Sequence, residues 1–224
     1  MRLPHVLHRS TLARRLAAGL ALLALAAPPL AAQDDPAAVA QAFEAYRTAV
    51  LASDGRAALD AVDAATVRYY GAMLDLALDA DSATVAREPL IHQLLVLALR
   101  GRVSADTLRA MDPVSAFVYG VDRGWIGRES VERIELGRVT VRGDRATATL
   151  ESAGRPVPTL QFGFSREDGR WRFDLTSFQS GLSAELEAVA KRAGMTGSEL
   201  VEQMLASVIG EPAAFDDLWH PVGR

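Results

Sequence analysis

Glu88 and His92 stand four positions apart, a spacing at which a carboxylate can raise the pKa of an imidazole and make it a general base. The same spacing describes an ordinary pair on a helix surface, here beside Gln93, and both readings stand. A second group is the run Tyr119-Gly120-Val121-Asp122-Arg123-Gly124-Trp125-Ile126-Gly127, in which aromatic rings and charges sit between glycines. It falls where a helical half of the chain meets a strand-rich one, and pockets form at such junctions. Tyr119 and Trp125 are therefore candidate ligand-binding residues, and Asp122, with a nearby tyrosine, is a candidate catalytic acid or base. The alternative is that Trp125 closes the end of the core while Asp122 and Arg123 are solvated.

Composition removes most other chemistry. There is no cysteine, which rules out disulfides, thiol nucleophiles and Cys-ligated metals. Of the four histidines, His5 and His8 lie in the leader described below, so only His92 and His220 remain beyond it. Zinc or iron catalysis is not expected, and neither is a cofactor. Asp79, Asp81 and Ser82 place oxygens close together, but the loop lacks the glycine and the distal glutamate of an EF-hand, and Asp81 or Ser82 serves better as a helix cap. No serine sits in a nucleophile elbow, and no glycine pattern for phosphate is present. With so few groups suited to catalysis, the expectation is a non-catalytic module that binds a small apolar ligand or an envelope protein. An acid/base enzyme using Glu88 and His92, or Asp122, is the alternative, whether isomerase, dehydratase or hydrolase. A homo-oligomeric assembly component is a second alternative, with the helices from Gly181 to Ile209 as its interface.

The leader is the strongest signal for location. Arg2, Arg9, Arg14 and Arg15 precede an apolar run of 12 residues from Leu16 to Ala27, too short to span a bilayer. Pro28-Pro29 ends it, and the small pair Ala31-Ala32 precedes Asp34-Asp35. A cleavable export signal over 1–32 is expected, with cleavage near Ala32 and a periplasmic or secreted product. Sec and twin-arginine export both remain open. Loss of the leader removes four arginines and no acid, moving the formal net charge from −4 to −8. An acidic product does not suit nucleic acid or an anionic membrane surface, and no permanent membrane anchor is expected.

Positioning these residues requires an α+β fold, with a helical N-terminal half packed on a curved four-stranded antiparallel meander and additional C-terminal helices. The domain spans 33–210, with helices over 36–119, the sheet over 133–177, helices over 181–209 and a tail over 211–224. Val39, Phe43, Tyr46 and Val50 form one helical stripe, and Val67, Tyr70, Leu74 and Leu78 form another. Leu90, Ile91, Leu94, Leu95, Leu97 and Ala98 give a face wide enough to lie centrally in the helical layer. Gly101 and Gly120 are read as helix ends. From Ile134 the apolar period becomes two, with joins at Arg142-Gly143-Asp144 and Glu167-Asp168-Gly169. Ile134 and Leu136 are out of phase with Val139 and Val141 across Gly137, which predicts a bulge. Arg155-Pro156-Val157-Pro158 reads as a connection between strands.

The segments Val139-Thr140-Val141-Arg142-Gly143-Asp144-Arg145-Ala146-Thr147-Ala148-Thr149-Leu150 and Phe162-Gly163-Phe164-Ser165-Arg166-Glu167-Asp168-Gly169-Arg170-Trp171-Arg172-Phe173 resemble the NTF2-like superfamily, including its SnoaL-like members. The resemblance covers about a quarter of the chain. It implies a cone of helices leaning on a curved sheet around a cavity used for small-molecule chemistry, ligand binding or protein contacts. The helical segment from Thr66 to Tyr119 and the C-terminal helices are additional to that pattern, and no family catalytic residue maps onto this chain.

Overall fold

In a computed structural model, α1 (Asp35–Leu51) lays Val39, Phe43, Tyr46 and Val50 against the sheet as one buried stripe. The structure describes residues 35–126, 128–209 and 215–222, all within one contact unit, Asp34–Arg224. The leader and its cleavage site lie outside the described residues, as do Gly127 and the start of the tail. No described helix is long and apolar enough to cross a membrane.

Seven helices follow before the sheet: α2 (Gly55–Ala61), α3 (Ala64–Asp79), α4 (Ser82–Val85), α5 (Leu90–Arg102), α6 (Ala105–Ala110), α7 (Pro113–Asp122) and α8 (Arg128–Arg133). Their starts are set locally. Asp54, Asp63, Asp81, Ser104 and Asp112 each accept a backbone N–H of the first turn, which satisfies a donor that the helix itself cannot. Asp81 thus caps α4. Gly120 does not end α7, which continues to Asp122. It sits at a close approach: a Cβ there would come within 2.7 Å of Ile126 Cδ1, so a larger residue would require the Ile126 side chain to shift.

The sheet is a meander of order β1-β2-β3-β4, with β1 (Ile134–Arg142), β2 (Arg145–Ser152), β3 (Arg155–Glu167) and β4 (Arg170–Asp174), all antiparallel. The expected bulge lies between Leu136 and Val139. A second irregularity, at Thr149/Leu150 opposite Val157 and Gln161, was not legible in the sequence. It draws Arg155-Pro156-Val157 into β3 as a paired strand rather than a connection. Bulges bend and twist the strand that carries them. The cross-strand rows Val141–Ala146–Phe164–Phe173 and Val139–Ala148–Phe162 make the inner face apolar. Against it, Phe43 packs edge-on to Phe173 at 5.7 Å and Tyr46 meets the same ring at 5.0 Å.

Two joints lock helices to this frame. Asp63, 1% exposed, accepts hydrogen bonds from Thr66 N at 2.8 Å, Thr66 Oγ1 at 2.9 Å and Ser165 Oγ at 3.1 Å. Thr66 Oγ1 in turn accepts from Leu175 N at 3.0 Å, so the start of α3 is bonded to β3 and to the chain leaving β4. Arg100, 8% exposed, donates to the carbonyls of Leu76, Ala77 and Ala80 at the end of α3, and to Leu218 of the tail, at 2.6 to 3.1 Å. A cation at a helix C-terminus meets both the unpaired carbonyls and the negative end of the dipole.

After the sheet come α9 (Gln179–Ala193), α10 (Gly197–Ile209) and α11 (Phe215–Leu218). Thr196 and Glu199 form a reciprocal capping box for α10. Leu97 and Leu90 of α5 pack with Val201 and Leu205 of α10, so α5 is central in the helical layer, as its wide apolar face requires. Trp219 Nε1 donates to Glu202 at 3.0 Å, which docks the tail on the body.

Candidate functional site

Where α3, α5 and the loop after α7 lean on the inner face of the sheet, the side chains leave space. A cavity of about 250 Å³ is lined by Tyr46 of α1, Tyr70 of α3, Leu95 of α5, inner-face residues of the sheet such as Leu150 and Phe162, and Phe178, Gln179 and Leu182 around the start of α9. A neighbouring cavity of about 140 Å³ extends between α3, α5 and α7 past Met73, Leu99 and Ala116 to Arg102. The two share Tyr70, Leu95, Trp125 and Ile126 as walls. Taken together they fall within the range of roughly 300–1,000 Å³ usual for small-molecule sites.

Trp125, one of the two aromatic candidates of the sequence, lines both cavities. Its position is fixed by the turn after α7, where Trp125 N donates to Gly120 O at 2.9 Å. Tyr119 does not line either cavity; it supports Trp125 from the side, with ring centroids 5.3 Å apart and planes at 76°. The Arg102 guanidinium lies 4.9 Å from the centre of the Trp125 ring, a cation–π geometry, and burial lowers its pKa.

Glu88 and His92 do pair, with Glu88 Oε2 and His92 Nδ1 2.9 Å apart. They form part of the wall of an open surface groove that also holds Tyr69, Asp75 and Asp79, and neither lines the apolar cavities. The Tyr69 ring packs 5.3 Å from the imidazole, and burial beside Tyr70 raises its phenol pKa. Asp122 is in a third place. Its carboxylate accepts Gly55 N at 2.7 Å and so caps α2 from the end of α7. Gly55 permits this, because a Cβ there would lie 2.4 Å from Val118 O and 2.7 Å from the Asp122 carboxylate. The three candidate proton-transfer groups are therefore split between a surface groove and a helix cap.

Two residues of the site carry no functional signal in the sequence. Tyr46 and Tyr70 occupy apolar stripes and read there as core, yet both line the larger cavity. Burial raises the pKa of both phenols, and Tyr70 adds to the effect on Tyr46. Among the described residues, the cavity walls hold two phenols, the Trp125 indole, the Gln179 amide and the Arg102 guanidinium, with no carboxylate or imidazole. None of these exchanges a proton readily near neutral pH. The arrangement can enclose an apolar molecule and offer it hydrogen bonds from neutral groups, with one cation, Arg102, on the smaller cavity. Comparison with protein-family models, curated proteins and solved structures finds no match.

Proposed function

We propose that the protein, exported and freed of its leader, binds a small apolar molecule in the joined cavities beneath Trp125, without catalysing its conversion. The observation that carries this reading is the lining itself: Tyr70, Leu95, Trp125 and Ile126 shared by two sheltered spaces whose other walls are almost wholly aliphatic or aromatic. Burial of such surface contributes about 25 cal/mol per Å² to binding. A helical cone over a curved sheet around a cavity is also what the NTF2-like resemblance implies, and we extend that resemblance to the cavity as a further part of the proposal.

The test is a titration of the purified protein with indane, followed by calorimetry and by tryptophan fluorescence. Saturable binding with stoichiometry near one is expected, together with a response of Trp125 that is absent in Trp125→Phe. Leu95→Trp fills the shared wall and abolishes binding while the thermal midpoint stays close to that of the parent. Failure of indane and its ketone to bind the parent protein overturns the reading. Native mass spectrometry of protein from its own envelope then reports any retained ligand, and N-terminal sequencing that begins at Gln33 checks the export signal.

A further inference from the structure

The larger cavity has one polar feature that its apolar walls do not explain. Tyr46 is 1% exposed, and its hydroxyl has no hydrogen-bond partner among the described residues. Buried hydroxyls are almost always paired, and phenylalanine would fill the same space on this stripe without an unpaired oxygen. Four other buried side-chain atoms lack a hydrogen-bond partner, on Tyr69, Gln93, Arg166 and Ser183, but Tyr46 alone among the five residues lines the cavities. Its ring lines the cavity and lies edge-on to Phe173 at 5.0 Å, while the hydroxyl itself has almost no accessible surface, so a ligand meets it through a small turn of the ring toward the space. Tyr70 lies close enough for the two phenols to interact electrostatically.

The rest of the wall limits what could meet that hydroxyl. Among the described residues no charged side chain lines the larger cavity, and Arg102 lines only the smaller one, so an ionised ligand group beside Tyr46 would be desolvated without an adjacent counter-charge. Burial keeps both phenols protonated, so each can donate. We infer that the ligand is an uncharged, mostly apolar molecule bearing one accepting oxygen, such as a ketone, ester or ether oxygen, and that Tyr46 donates the hydrogen bond that recognises it. This rests on the cavity being a binding site, and it adds the chemical class that the site selects.

Three probes of one skeleton separate the claims: indane, 1-indanone and indane-1-carboxylate, each titrated into the parent protein and Tyr46→Phe. Tyr46→Phe weakens 1-indanone about tenfold, the value of one buried hydrogen bond, and changes indane by less than about twofold. The carbonyl stretch of bound 1-indanone lies at lower frequency in the parent and returns toward its value in an apolar solvent in the variant, a shift that a merely structural tyrosine would not produce. If 1-indanone binds both proteins equally while indane still binds, Tyr46 is not the donor and the apolar-site reading survives. Tightest binding by the carboxylate overturns the uncharged class. Failure of every probe on the parent overturns the binding reading itself.

Discussion

The joint at Asp63 and the cavity at Tyr46 are both buried against the same sheet, and they treat polar atoms in opposite ways. At the joint, Asp63 accepts three hydrogen bonds while Thr66 donates to it and accepts from Leu175, so the side-chain oxygens that hold α3 to β3 and β4 are used. At the cavity wall, the Tyr46 hydroxyl is left unpaired and almost without accessible surface, on a ring that lines a space of about 250 Å³. A fully partnered buried network specifies structure, whereas an unpartnered one costs stability and persists where something else selects it. The difference marks the cavity rather than the joint as the place to look for a ligand.

Alkali tests that contrast most severely. The folded-state pKa values of Tyr46, Tyr69 and Tyr70 are raised above 10.0, chiefly by burial. Below pH 10 the phenols are neutral in both states and their contribution is fully present; above it the unfolded chain ionises first, and stability falls as pH rises. The loss is about 1.4 kcal/mol per pH unit for each phenol held neutral. Phenolate absorbance from these three residues is expected to appear together with unfolding, measured by circular dichroism on the same samples. Ionisation of Tyr46 and Tyr70 in a chain that remains folded would show that the cavity is wet and open.

Arg100→Met comes next. It keeps much of the apolar volume but removes the donor from four carbonyls, three of them in the last turn and C-cap of α3, and destabilises the protein by about 3 kcal/mol. Asp63→Ala leaves Thr66 N and the Thr66 and Ser165 hydroxyls without their acceptor, for a loss of about 2 kcal/mol. Urea midpoints measure both. Midpoints equal to the parent's would erase the distinction between joint and cavity.

The joints and the cavity also differ in how much of them could be read from residue order. Capping aspartates, the capping box at Thr196 and Glu199, the alternating strands and the bulge beside Gly137 are local, and local chemistry declares itself within a few positions. Arg100 reads only as a basic residue at a helix end, because its partners are two segments, 20 to 24 and 118 positions away. The short α8 has no apolar period to announce it, and α7 continues past Gly120 although glycine commonly ends a helix. Trp125 was legible as a junction aromatic. Tyr46 and Tyr70 were not legible as site residues, since a phenol on an apolar stripe has the same pattern whether or not its hydroxyl finds a partner. The cavity is assembled from α1, α3, α5, the sheet and α9 and exists only once they are packed.

Asp122→Ala separates a cap from a catalytic group. Loss of the acceptor for Gly55 N costs about 1 kcal/mol, typical of a helix N-cap, and leaves indane affinity unchanged. A larger effect on binding than on stability would return Asp122 to the functional site.

The smallest effect on stability, and the one with the opposite sign, is expected for Tyr46→Phe at neutral pH. Truncating a partnered buried tyrosine strands another group, as at Asp63. Here no partner exists to strand, the ring keeps its contacts with Phe173, and an unpaired oxygen is removed from an apolar wall. The variant is therefore expected to match the parent or exceed it by about 0.5–1 kcal/mol in urea unfolding. A loss of more than about 1 kcal/mol would mean that the hydroxyl already has a structural partner, and the cavity would then be no different in kind from the joint. A gain in stability with a loss of 1-indanone affinity is the trade expected of a residue retained for its ligand.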